Sequence, residues 1–286
     1  MDAEQHGQSW IEREFFKFSG SGNDFIIMDN RDGALSDPDI AAEVALLCRR
    51  KASIGADGLI LIEKSPIADF AWRFFNADGG EAEMCGNGGR CAARFAFMQG
   101  IAGREMSFQT RAGIIRASIL DHRRVKLQMT SPHSLKLDYE LDLGQRKPFI
   151  VSSINTGVPH VVLFTEDLEA CPVVSMGRTI RYHNYFKPAG TNANFVCASG
   201  ADQVSIRTYE RGVEDETLAC GTGSVAAALI AARKGLVSSP VSVLTRGGER
   251  LVIHFNLSGD EFDQVFLEGD TNLVFSGYVK QEAFVI

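Results

Sequence analysis

The sequence predicts an α+β protein made of two similar halves, each a set of strands around one glycine-started helix. Three observations predict it. The stretches "EMCGNGGRCAARFAF" at 83–97 and "LACGTGSVAAALIAA" at 218–232 both place a cysteine before Gly-x-Gly and follow it with an alanine-containing run. Aligning Cys85 with Cys220 also superposes Glu81 on Glu216 and Ala92-Ala93 on Ala227-Ala228. The order of apolar segments around the two helices then repeats. An internal duplication accounts for this better than chance combined with the ordinary preference of helix starts for glycine.

In the first half, "EFFKFSG" reads as a strand, "SGSGND" as a polar turn, and "FIIMDN" as an apolar run suited to a buried strand. Residues 37–50 read as a helix: Asp37 can cap it, Pro38 suits its first turn, and Ile40, Val44 and Leu47 share a face. "DGLILIEKS" and "FAWRFFNAD" are further strands before the Cys85 helix. "EMSFQT", "GIIRASIL" and "RVKLQMT" follow as strands, with "LDHRRV" as a hairpin connection. The pattern restarts near residue 149 with "FIVSSINTG", "HVVLF", a helix around 174–183, "NFVCAS" and "QVSIRTYE". The Cys220 helix comes next, then the strands "PVSVLT", "ERLVIHF" and "DQVFLEG". No Gly/Ser-rich or Pro-rich linker separates the halves, so the boundary near 131–149 is soft, and the closing "NLVFSGYVKQEAFVI" alternates like a strand that could serve either half.

Composition limits the function. With 286 residues, 45% of them hydrophobic, the chain can bury one large core or two of ordinary domain size. A formal net charge of −7 without runs of like charge gives no reason to expect nucleic acid or an anionic membrane as partner, so a small molecule fits better. No apolar stretch approaches the ~20 residues needed to cross a bilayer, and the polar "MDAEQHGQSWIERE" lacks the apolar core of a secretory signal. The expected location is the cytoplasm. Six cysteines (Cys48, Cys85, Cys91, Cys171, Cys197 and Cys220) are too sparse for a disulfide scaffold in a chain this long and are expected as thiols. No metal is expected, because spacings such as C-x₂-C or H-x₃-H are absent. Cys85 and Cys91 would also point to different faces of a helix, about 240° apart.

Glycines after a cysteine let the chain turn tightly and leave backbone N–H groups uncovered at a helix start. Those groups and the helix dipole, about half a positive charge, suit an anion such as a carboxylate. The same field is expected to lower a thiol's pKa from about 8.5 toward neutrality, the range useful to a general base. Two such cysteines facing each other across a cleft could invert a stereocentre: one thiolate removes a proton from one face of a carbon and the other thiol returns a proton to the opposite face. Inversion has two near-mirror-image halves and so calls for two near-identical devices. Taken singly, each motif also fits a buried small hydrophobe. Cys48, Cys91, Cys171 and Cys197 are expected as core or incidental thiols.

The runs "FSGSGNDF", "FNADGGEAEMCGNGGRCAARF", "TGVPH", "GTNANFV" and "YERGVEDETLACGTGSVAAA", in order from about residue 15 onward, resemble the diaminopimelate epimerases, racemases that work without pyridoxal phosphate. The resemblance implies two pseudo-symmetric domains, each a curved, barrel-like mixed or antiparallel sheet around a central helix, with the active site in the interdomain cleft. It implies that the last strand returns to the first domain, giving residues 1–131 plus 274–286 for the domain with Cys85 and 132–273 for the domain with Cys220. It further implies Cys85 and Cys220 as the acid/base pair, with Gly86-Asn87 and Gly221-Thr222 cradling the α-carboxylate at the reacting centre. Asn23 and Glu210 resemble holders of the reacting amino group, an ammonium that needs acceptors. Asn76, Asn192 and Arg211 resemble readers of the distal amino-acid end, Arg211 offering a guanidinium fork to its carboxylate. His160 matches a histidine close to the thiols. Several of these have plain alternatives: Asn23 and Asn192 as turn residues, His160 as a satisfier of backbone groups, and Glu210-Arg211 as a surface ion pair worth about 0–1 kcal/mol.

The implied reaction is interconversion of LL- and meso-2,6-diaminopimelate in lysine and peptidoglycan synthesis, without a cofactor, by a homodimer. Two departures touch substrate-holding positions: Val158 stands where many members have Asn, and Gly58 where some have Gln. Rival readings are an isomerase of the same architecture acting on proline, hydroxyproline or another amino acid, a thiol redox switch using Cys85 and Cys220, and an anion-binding module.

Overall fold

The computed structural model describes residues 9–35, 40–259 and 261–285. The chain divides into two compact units, Met1–Leu127 with Asp270–Ile286, and Gln128–Gly269. No helix among the described residues is long and apolar enough to cross a membrane.

The first unit contains β1 (Glu14–Gly20), β2 (Asn23–Asp29), α1 (Ala41–Cys48), β3 (Gly58–Glu63), β4 (Phe70–Asn76), β5 (Glu81–Ala82), α2 (Gly86–Met98), β6 (Glu105–Thr110), β7 (Gly113–Ile119) and β8 (Arg124–Gln128). In the second, the chain runs through β9 (His133–Leu141), β10 (Phe149–Asn155), β11 (Pro159–Phe164), α3 (Val173–Arg181), β12 (Asn192–Ala198), β13 (Gln203–Glu210), β14 (Asp215–Thr217), α4 (Gly221–Arg233), β15 (Val241–Leu244), β16 (Arg250–Ser258) and β17 (Glu261–Asp270). Finally β18 (Asn272–Tyr278) returns to pair antiparallel with β1 in the first unit.

Written as pairings, the halves repeat strand for strand. In the first, β18, β1 and β2 are antiparallel neighbours, β2 runs parallel to β3, β3 is antiparallel to β4, and β4 runs parallel to β6 before the antiparallel β7 and β8. In the second, β9, β10 and β11 are antiparallel neighbours, β11 runs parallel to β12, β12 is antiparallel to β13, and β13 runs parallel to β15 before β16 and β17. Each parallel step is spanned by a helix: α1 and α3 at the first, α2 and α4 at the second. The fold is therefore mixed α+β with two similar halves.

Both faces of the central strands are covered, which explains why their sequences are solidly apolar instead of alternating. In β2 and β3, Phe25, Ile27, Ile60 and Ile62 pack in the core around α2, while Ile26, Met28, Leu59 and Leu61 pack with α1 residues Val44 and Leu47. In the second unit, Val162, Val196 and Ile206 pack around α4, and Val161, Leu163 and Phe195 pack with Ile180 of α3. The central helix α4 is buried from Gly223 to Ala231, as expected for a helix that is apolar all round.

Differences from the sequence reading have local causes. The first helix starts at Ala41, capped by Ile40 without a side-chain bond, and ends at Cys48 instead of Arg50; Asp37 and Pro38 lie outside the described residues. The "LDHRRV" connection is a hairpin in which Asp121 Oδ1 accepts from the Arg123 and Arg124 N–H groups at 2.7 and 2.8 Å. Strand β9, in the stretch read as a soft boundary, was not foreseen, although Leu135, Leu137, Tyr139 and Leu141 alternate along it; its opposite side is exposed, which hides it from a search for apolar runs.

Candidate active site

Both cysteines sit at the N-cap of a thirteen-residue central helix with extended backbone, φ −143° for Cys85 on α2 and −130° for Cys220 on α4. The duplicated glycines have different packing duties. A Cβ at Gly223 would stand 2.5 Å from Asn194 Oδ1, whereas one at its counterpart Gly88 would stand 3.2 Å from Ile60 Cδ1, so the tighter approach of helix to sheet is at the start of α4.

In the first unit, Cys85 Sγ accepts from the Gly88 N–H at 3.4 Å. Gly86 and Asn87 form the first turn of α2, and Asn87 is locked in place: its Nδ2 donates to Asn23 Oδ1 at 2.8 Å, and Arg90 donates to its Oδ1 at 2.9 Å. Asn23 in turn donates to Asp57 Oδ2 at 3.0 Å, and Asp57 and Asp24 share Arg50. Burial opposes charge at Asp24, yet Arg50 and Lys17 hold its carboxyl down to about 2. Cys85, Gly86, Asn87 and Asn23 thus form one cluster, which Arg90 and Asp57, not foreseen from the sequence, hold in place. Asn76 stands exposed at the end of β4, opposite Gly58, with its backbone N–H bonded to Gly80 O.

In the second unit, Cys220 is 7% exposed and lies near the Glu210 carboxyl, which accepts from Thr217 Oγ1 at 2.9 Å. Thr222 Oγ1 lies 3.6 Å from Cys220 Sγ and 2.9 Å from His160 Nε2. His160 and Asn192 are paired across β11 and β12, and the Asn192 amide bridges Pro159 O at 3.0 Å and the Arg211 N–H at 2.8 Å. Arg211 also donates to Ala189 O at 3.0 Å. His160, Glu210, Thr222 and Cys220 form one connected set, with Asn192 and Arg211 beside it. Asn194, Thr208 and Thr217 were missed; the alternation Asn192, Asn194 inside "GTNANFV" was the available signal, because residues i and i+2 share a strand face.

The electrostatics correct one expectation. Cys220 does not have a lowered pKa: burial, and then the nearby Glu210 charge, push its thiol up to about 12, outweighing the helix start. Burial likewise raises the Glu210 carboxyl. At this burial Cys220 is held as a thiol. His160 is driven down to about 3 by burial and the Arg211 charge, and stays neutral.

The glutamates superposed by the duplication have a different role. Glu216 forms a two-pronged ion pair with Arg207 at 2.7 and 2.8 Å, and Glu81 lies 3.7 Å from Arg73. Each ties a short hairpin strand to the strand before it. None of the six cysteines is in a disulfide. Burial pushes Cys48 up to about 12, in keeping with a core thiol. Among the described residues no three His, Cys, Asp or Glu side chains gather as a metal-holding group.

The diaminopimelate epimerase family model matches residues 15–135 and 152–274. The chain is 46% identical to the diaminopimelate epimerase of Aquifex aeolicus (strain VF5) over 284 residues, covering 94% of this chain and 98% of that one. It is 49% identical to that of Hydrogenobaculum sp. (strain Y04AAS1) over 281 residues, covering 94% and 99%. Among solved structures, a probable proline racemase from Agrobacterium radiobacter K84 superposes with a TM-score of 0.68 at 16% identity, over 93% of this chain and 92% of that one. A PhzF-family phenazine biosynthesis protein of Bacillus anthracis gives 0.67 at 15% identity, over 93% and 98%. These two share the fold. With nearly its whole length matched by the family model and by relatives at close to half identity, the chain belongs to the diaminopimelate epimerase family of isomerases.

Proposed function

We propose that the enzyme interconverts LL- and meso-2,6-diaminopimelate with Cys85 and Cys220 as its two acid/base groups, serving lysine and peptidoglycan synthesis in the cytoplasm as a homodimer. The observation that carries this reading is that the two cysteines stand at the N-cap positions of topologically equivalent helices, each start fastened to a polar cluster of its own.

In the reaction, one thiolate takes the proton from the substrate Cα and becomes a thiol. The electron pair left on Cα is delocalised into the α-carboxylate, whose oxygens the N–H groups of Gly86-Asn87 and Gly221-Thr222 receive. The opposite thiol delivers its proton to the other face of Cα and is left as the thiolate, so the pair exchanges states at each turnover. The raised pKa of Cys220 suits a resting proton donor. Substrate can reverse it: an ammonium placed beside Glu210 neutralises the charge that opposes thiolate formation. Arg211 supplies the fork for the distal carboxylate, beside Asn192, with Asn76 reading the same end. Gly58 has no room for the glutamine of some relatives, since a Cβ there would stand 2.5 Å from Phe75 O and 2.7 Å from Phe74 Cε2.

Hydrogen–deuterium exchange at Cα in heavy water, on LL- and meso-diaminopimelate, tests the pair. Cys85→Ala and Cys220→Ala are each expected to lower epimerisation by about a hundred- to ten-thousand-fold with the fold intact. Exchange that survives the loss of either thiol at the wild-type rate removes the two-base mechanism, and full activity of both Cys→Ser variants would point to an anion-binding role instead.

A further inference from the structure

Three neighbouring strands of the second unit turn polar side chains into an otherwise apolar core at the start of α4. His160 on β11, Asn194 on β12 and Thr208 on β13 are 1%, 0% and 3% exposed. Asn194 is paired with Thr208 on one side and with Val162, two residues beyond His160, on the other. The proposed reaction uses neither Asn194 nor Thr208.

The directions of their hydrogen bonds can be deduced. Asn194 Nδ2 lies 2.8 Å from Val161 O and 3.2 Å from His160 Nδ1, and its Oδ1 receives the Thr208 hydroxyl at 2.9 Å. A backbone carbonyl only accepts, so the amide atom facing Val161 O must be the nitrogen. His160 Nδ1 therefore faces an N–H and must be the acceptor, which places the proton of the neutral ring on Nε2. That Nε2–H donates to Thr222 Oγ1 at 2.9 Å. The Thr222 proton, turned away from the ring, is left to donate to Cys220 Sγ at 3.6 Å, and the Cys220 S–H to Glu210. Five side chains, Thr208, Asn194, His160, Thr222 and Cys220, then donate in one direction toward Glu210. Thr156 steadies the junction by donating to Thr222 O at 2.9 Å.

We propose that Asn194, oriented by Thr208 and Val161 O, is a positioning residue: it holds His160 as the Nε2–H tautomer and so directs the Thr222 hydroxyl proton onto the Cys220 sulfur. The proposal rests on the reading of Cys220 as an acid/base group. A hydroxyl donor favours the thiolate that forms when Cys220 gives up its proton. With the opposite tautomer the ring would take the Thr222 proton, and Thr222 would turn a lone pair toward that thiolate.

Nitrogen-15 NMR of the histidine rings in the full-length enzyme, with His160 assigned by comparison with His160→Gln, reads the tautomer without turnover. The Nε2–H form is expected, and an Nδ1–H ring overturns the proposal. Asn194→Asp puts an acceptor opposite Nδ1; it is expected to move the proton there and to lower kcat about tenfold or more while KM stays within about twofold. Thr222→Val should fall alike and Thr222→Ser should recover. A shifted tautomer with wild-type kcat overturns the proposal, as does a Thr222→Val enzyme as fast as wild type. If Asn194→Asp fails to fold, the wild-type tautomer and the Thr222 pair still decide. Because the tautomer is read in the resting enzyme, its failure is distinguishable from failure of the thiol pair, which the Cα exchange experiment judges.

Discussion

At the scale of single residues, burial dominates the titration of the Cys220 cluster in the second unit. The same desolvation that keeps Cys220 protonated keeps His160 neutral, and this leaves a signature in stability. The folded-state pKa of His160, about 3, lies below its ordinary value of 6.5. As pH falls through that window the unfolded chain takes up a proton that the folded chain refuses, so stability present above pH 6.5 is lost at up to about 1.4 kcal/mol per pH unit. His160→Gln should flatten the fall in the urea midpoint between pH 7 and pH 5; an unchanged slope would assign the acid sensitivity to other groups. The candidate residues were legible in the sequence because motifs this long carry them together. Their partners were less so: Asn194 and Thr208 reach His160 from separate strands, and no local spacing announces an alignment made by sheet register.

At the scale of elements, α2 and α4 show what the glycines after each cysteine are for. They let the helix start sit close against the sheet. Gly223→Ala would force its Cβ to 2.5 Å from Asn194 Oδ1, so either the helix start or the Asn194 amide must move. The variant is expected to lose about 1–3 kcal/mol in urea denaturation and to lose turnover, through overpacking and a disturbed amide. Wild-type stability and rate would show that the helix start yields at no cost. The apolar runs of β2 and β3 were readable as buried strands, but that α1 covers their second face followed only from the packing, since an apolar run looks the same whatever lies on either side.

At the scale of the whole molecule, the duplication explains why the last strand belongs with the first unit. The second half runs from β9 to β17 without a break, and the counterpart of β9 in the first half is β18, from the far end of the chain. Truncation before Asn272 should therefore strip amide hydrogen-exchange protection from β1 and β2 while leaving β12 and β13 protected. Equal loss in both units would mean that β18 supports the molecule as a whole. The sequence by itself determined the duplicated Cys-Gly-x-Gly helices, the apolar strands around them and the family, because each is a local pattern of residue types. Only the tertiary structure decided that β9 is a strand, that the Glu81 and Glu216 pairings are structural ties, and that Cys220 rests as a thiol beside Glu210. Those outcomes depend on which distant side chains burial brings together, and on the desolvation that follows, which no short stretch of sequence contains.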